Sequence, residues 1–215
     1  MKSHVKTPSF KFTLKAALFV FTFVAFSTNC KKQNYPVAEK GCTYVLDKEN
    51  ITLEWTAFKF TKKAGVKGSF SKTDFVLPGE KSDPASALDG LTFTIDATSV
   101  STGNPGRDEK IKNTFFGKIE NAESISGRVF LKDSVLTTTL LYNGLEKELN
   151  STWNFENDQV YLSTVIDNFQ WNGNSAVEAL NEACYTEHTG EDNISKLWPD
   201  VEIKVTATVI KTCNE

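Results

Sequence analysis

Past residue 43 the chain alternates apolar and polar positions with the period of two that marks strands lying on a core. Ile51, Leu53, Trp55 and Ala57 alternate with Thr52, Glu54 and Thr56, and Val66, Gly68 and Phe70 continue the pattern after a turn at Lys62 to Gly65. Leu91, Phe93 and Ile95 repeat it, as do Ile125, Gly127, Val129 and Leu131. Val135 to Tyr142 and Leu145 to Phe155 flank Asn143-Gly144, a pair suited to a type I′ turn, whose central residues both need positive φ. In the second of these, Leu145, Lys147, Leu149, Ser151, Trp153 and Phe155 share one face. Val160 to Ile166 and Val201 to Ile210 complete about eight strands joined by short turns, the pattern of an all-β antiparallel barrel or sandwich. Arg107 to Phe116 and Ser175 to Cys184 break this period with apolar residues four apart, which predicts two short helical insertions.

The first 29 residues follow a different pattern. Lys2, Lys6, Lys11 and Lys15 form a basic lead without acids, and Ala16 to Phe26 is apolar except for Thr22. That run is shorter than the roughly 20 residues a helix needs to span a bilayer, but it suits the core of a secretory signal. It leads into Ser27-Thr28-Asn29-Cys30, which resembles a bacterial lipobox with Cys30 as the lipidated residue. An ordinary signal peptide cut nearby is the other reading. The expected organisation is a signal at 1–29, a lipidated terminus and tether at 30–43 and one folded domain at 44–215. The expected location is the cell envelope of a bacterium, anchored in a membrane, with the outer membrane preferred because Lys31 follows Cys30.

Charge and chemistry narrow the function. Loss of the four leader lysines makes the protein more acidic than the net −3 of the full chain, which disfavours nucleic acid as a partner. His188 is the one histidine outside the leader, so no histidine metal cluster can form. It lies in the polar stretch Tyr185 to Ser195, where a solvated position is expected. No nucleophile stands beside a base in a recognisable motif, so no enzyme and no metal are expected.

Three segments then resemble the YceI-like family of exported proteins: Leu53 to Phe70 (LEWTAFKFTKKAGVKGSF), Leu91 to Gly117 (LTFTIDATSVSTGNPGRDEKIKNTFFG) and Leu140 to Leu149 (LLYNGLEKEL). The resemblance covers about Tyr44 to Val209. Thr114 and Gly117 flank the Phe115-Phe116 doublet where many members carry acids, and Lys110 replaces a common histidine. The resemblance implies a lipocalin-like barrel that holds a polyisoprenoid, quinone or other long-chain lipid as its ligand, with no further cofactor. It would act as a carrier or store, in contact with a membrane only through its anchor, and possible as a homodimer. The candidate lining is Leu53, Trp55, Phe70, Phe93, Ile95, Phe115, Phe116, Trp153 and Phe155, with Arg107 as a candidate headgroup ligand. Asp108 would instead cap the helix if Arg107 is merely solvated. An adhesin or interaction module with a packed core is the alternative function.

In a closed antiparallel barrel the first and last strands pair. Cys42 precedes the first strand and Cys213 follows the last, so the expected disulfide is Cys42–Cys213, with Cys42–Cys184 as the competitor.

Overall fold

In this computed structural model residues 37–214 are described. The signal, Cys30 and the first half of the tether, up to residue 36, therefore lie outside the described residues. Ten strands form one antiparallel sheet: β1 (Cys42–Lys59), β2 (Ala64–Phe70), β3 (Thr73–Val76), β4 (Thr92–Ile95), β5 (Val100–Ser101), β6 (Ile125–Lys132), β7 (Val135–Tyr142), β8 (Leu145–Glu156), β9 (Gln159–Asp167) and β10 (Leu197–Cys213). The sheet order is β3-β4-β6-β7-β8-β9-β10-β1-β2-β5.

That order closes on itself. β2 and β3 are one run bent at Ser71-Lys72, and β4 and β5 are one run bent at the short turn Ala97–Ser99. The two runs pair along their length, Phe70 with Val100 and Thr73 with Ile95, and Ser71 N–H donates to Ser99 O across the bend. The ten segments thus make the expected barrel, in which no long edge is left open. The barrel begins two residues before the boundary read from the sequence, since Cys42 already belongs to β1. β1 and β10 form its longest ladder, with Cys42 opposite Cys213 and the two joined by a disulfide. Cys184 is a buried thiol.

The interior divides along the barrel axis. The end near the disulfide is solid, filled by Tyr44, Leu46, Leu88, Leu136, Trp153, Val160 and Val209. The opposite end is covered by helices. α1 (Pro105–Lys110) is capped by Asn104, whose Oδ1 accepts from Arg107 N–H, and Pro105 supplies the fixed φ of a first turn. It widens into a π-turn over Ile111–Phe115, where the Phe116 N–H reaches Ile111 O. α2 (Asn174–Ala183) buries Ala176, Val177 and Leu180; of the face Ala176, Ala179, Leu180 and Ala183 expected from the spacing, Ala179 is half-buried and Ala183 exposed, and α3 (Tyr185–His188) follows at once.

Candidate binding cavity

Between the solid end and the helices the barrel is hollow, with a slender cavity of about 200 Å³. Its wall includes Leu53, Trp55, Phe70, Phe93, Ile95, Phe115 and Phe116 of the sequence-derived set. Four of these rings touch in series: Trp55–Phe70 at 6.3 Å between centroids, Phe70–Phe116 at 6.0 Å and Phe115–Phe116 at 5.1 Å. The Trp55 indole N–H donates to Ser69 O at 3.3 Å, which satisfies its polar atom on the backbone and leaves an apolar face for the lumen.

Two glycines keep that lumen open. Trp55 is the register partner of Gly68, and Phe93 of Gly127. A Cβ on Gly68 would sit 2.2 Å from Trp55, and one on Gly127 would sit 2.5 Å from both the Phe93 ring and the Thr139 carbonyl. Each ring can therefore lie flat along the wall only because its partner has no side chain. Gly127→Ala is expected to destabilise by about 1–3 kcal/mol, since the ring and the neighbouring strand must both shift. Urea denaturation of the variant checks this, and an unchanged midpoint would contradict it.

Trp153 and Phe155 require correction. Both belong to the inward face of β8, but neither lines the cavity. Trp153 is 6% exposed within the solid end, its indole N–H donating to Ser134 O at 3.2 Å, and Phe155 packs against the same cluster. The alternation along β8 reports which face is inward; it does not report how far down the barrel a residue lies.

Arg107 is also displaced from its expected place. It is exposed, outside the cavity wall, and its Nε and Nη2 donate to Thr102 Oγ1 and Thr102 O at 2.8 and 3.2 Å. Asp108 is not the helix cap. Its Oδ1 accepts from Thr102 N–H and Oγ1, so the Arg-Asp pair anchors the loop that feeds α1.

The wall contains residues that the sequence reading missed. Ala57, Phe75, Leu91 and Leu140 face inward, Leu180 reaches down from α2, and Leu197 and Trp198 come from the start of β10. The polar wall groups are few: Thr138, Thr164, Tyr142 and Asn168. Tyr142 Oη donates to Asn168 Oδ1 at 2.8 Å, and burial pushes the phenol pKa well above its usual value.

The helical cover is fastened from outside. Lys110 Nζ pairs with Glu187 at 2.6 Å, and Lys59 Nζ donates to Glu187 O at 2.9 Å, which joins α1, α3 and β1. Their pairing holds the Glu187 carboxyl below, and the Lys110 ammonium above, its ordinary pKa. His188 is not the solvated residue expected; it is 8% exposed, with Nδ1 3.1 Å from Asn181 Oδ1.

Burial, helped by the charge of Lys59, lowers the His188 pKa. Just below the ordinary value near 6.5, the unfolded chain therefore binds more protons at this site than the folded one. Stability falls as the pH drops through that window. His188→Gln is expected to flatten the decline in melting temperature between about pH 6.5 and 5. An identical slope in both proteins would contradict the assignment.

A closed antiparallel barrel with a blocked end, a hollow apolar middle and a helical cover is a lipocalin-like binding fold. The chain belongs to the YceI-like family, whose domain model matches residues 44–209. A polyisoprenoid-binding domain from Saccharophagus degradans, implicated in plant cell wall breakdown, is 14% identical, with 80% of this chain and 98% of that chain covered at a TM-score of 0.51. BcnA of Burkholderia cenocepacia is 16% identical, covering 77% and 99%, at a TM-score of 0.49. A YceI protein of Campylobacter jejuni is 20% identical, covering 71% and 86%, at 0.42. No curated protein matches the chain in sequence.

Proposed function

We propose that this protein is an exported, lipid-anchored carrier or store that holds a long-chain amphiphile such as a polyisoprenoid inside its barrel. The observation that carries the reading is the cavity itself: it is slender, closed at one end and lined by aliphatic and aromatic side chains with no charged residue among them. A hydrocarbon chain is the ligand such a wall favours, because its transfer from water is driven by the apolar area it loses. The Saccharophagus degradans relative, a polyisoprenoid-binding domain, supports the same class of ligand.

The role is binding without covalent chemistry: the wall carries no carboxylate, amine, imidazole or thiol, and its one titratable group, the Tyr142 phenol, is held protonated by burial. Cys30 would carry the anchor in the bacterial envelope, with the outer membrane as its destination. A packed-core interaction module is the weaker reading, because it leaves the hollow interior without a use.

Titration of delipidated protein with a long-chain prenyl alcohol tests the proposal. Trp55 and Trp198 both line the cavity, so their fluorescence is expected to change saturably, at one ligand per barrel. A flat titration would overturn the reading.

A further inference from the structure

At the floor of the cavity one hydroxyl faces an otherwise apolar space. Thr138 points inward from β7, one inward position above Leu136, which is completely buried in the solid end. Thr138 is itself 7% exposed and lines the cavity. Its cross-strand neighbours are Val129 on β6 and Leu149 on β8, neither of which offers a side-chain hydrogen bond. Among the described residues its Oγ1 has no partner.

The other polar side chains of the wall are engaged. Tyr142 Oη donates to Asn168, Asn168 Nδ2 donates to Pro199 O at 2.7 Å, and Thr164 Oγ1 donates to Asn150 O at 3.1 Å. A valine at 138 would fill the same volume without leaving a buried hydroxyl unpaired.

The same wall constrains what can meet that hydroxyl. No lysine or arginine lines the cavity. A phosphate or carboxylate carried to the floor would lose its hydration without gaining a counter-charge. An uncharged oxygen would lose far less and would gain Thr138.

We propose that Thr138 docks the uncharged oxygen terminus of the bound amphiphile, an alcohol or a carbonyl, so that the ligand lies polar end inward with its chain trailing towards the helical cover. This assignment rests on the lipid-binding reading above and specifies its ligand class. It also accounts for Arg107 lying outside the wall: a buried neutral headgroup needs no guanidinium.

The test uses delipidated wild type, Thr138→Val and Thr138→Ser. Each is offered, in detergent, an equimolar mixture of a prenyl alcohol, the hydrocarbon of the same skeleton and the alcohol's monophosphate, with loading read by native mass spectrometry. Wild type is expected to load the alcohol about tenfold over the hydrocarbon and to load the phosphate least. Thr138→Val should load alcohol and hydrocarbon alike, and Thr138→Ser should restore the preference. A preference that survives in Thr138→Val, or phosphate loading equal to that of the alcohol, would overturn the assignment. Equal loading of alcohol and hydrocarbon by wild type overturns Thr138 alone. Loading of none of the probes overturns the lipid-carrier reading together with it.

Discussion

Replacing Ala57 with tryptophan is expected to cut uptake of a long-chain prenyl alcohol by about tenfold or more while leaving the melting temperature unchanged or raised. Ala57 has the smallest side chain on the cavity wall and sits on β1 between Val66 and Val201. An indole there projects into a space of about 200 Å³ and obstructs a chain-shaped ligand. The same ring fills a void, and filling a void regains van der Waals contacts that an empty wall forgoes. Binding and stability should therefore move in opposite directions. A simple folding defect would lower both. Unchanged uptake would mean that the ligand lies elsewhere than the barrel.

Removal of the disulfide should have the largest effect on stability. Cys42 and Cys213 lie opposite each other in the β1–β10 ladder and close a loop with a sequence separation of 171. In the chain-entropy picture a loop of that length constrains the unfolded chain by about 5 kcal/mol, and native bridges of this kind contribute about 2–5 kcal/mol. The variant with both cysteines changed to serine is expected to lose stability in that range by denaturant unfolding. Wild type under reducing conditions should match it. Because the bridge lies at the solid end, away from the cavity, prenyl alcohol binding to the folded fraction should persist. A double variant as stable as oxidised wild type would contradict the account.

Much of this architecture was legible because period-two alternation records which side of a strand is buried. It identified the inward faces of β1, β2, β4, β6 and β8 to β10, and with them Trp55, Phe70 and Phe93, whereas Phe115 and Phe116, which lie in the helical segment, were named through the family resemblance. It could not record depth along the barrel, so Trp153 and Phe155 were grouped with the lumen although they fill its base. The short strands β3 and β5 escaped notice because each is the continuation of another strand past a bend.

The start of β10 was read four residues late. Pro199 argues against a strand, yet it falls where the β1–β10 register breaks between Ala57 and Lys59, a place where a missing N–H is tolerated. Trp198 was missed as a wall residue for that reason. His188 and the segment around it looked solvated because their composition is polar. What buries and fastens them, Asn181 and Lys59, are contacts made in the fold that local composition does not register. Arg107 shows the converse: a basic residue beside a cavity suggested a ligand, but the nearer acceptor was Thr102.

Native mass spectrometry of the protein purified without detergent exchange from its own host is the most direct test of a lipid-filled barrel. The account predicts a mass above that of the processed polypeptide and its anchor, with the excess passing into organic solvent as an uncharged long-chain lipid. A polypeptide that carries no such mass, and takes up no long-chain lipid when offered one, would contradict it.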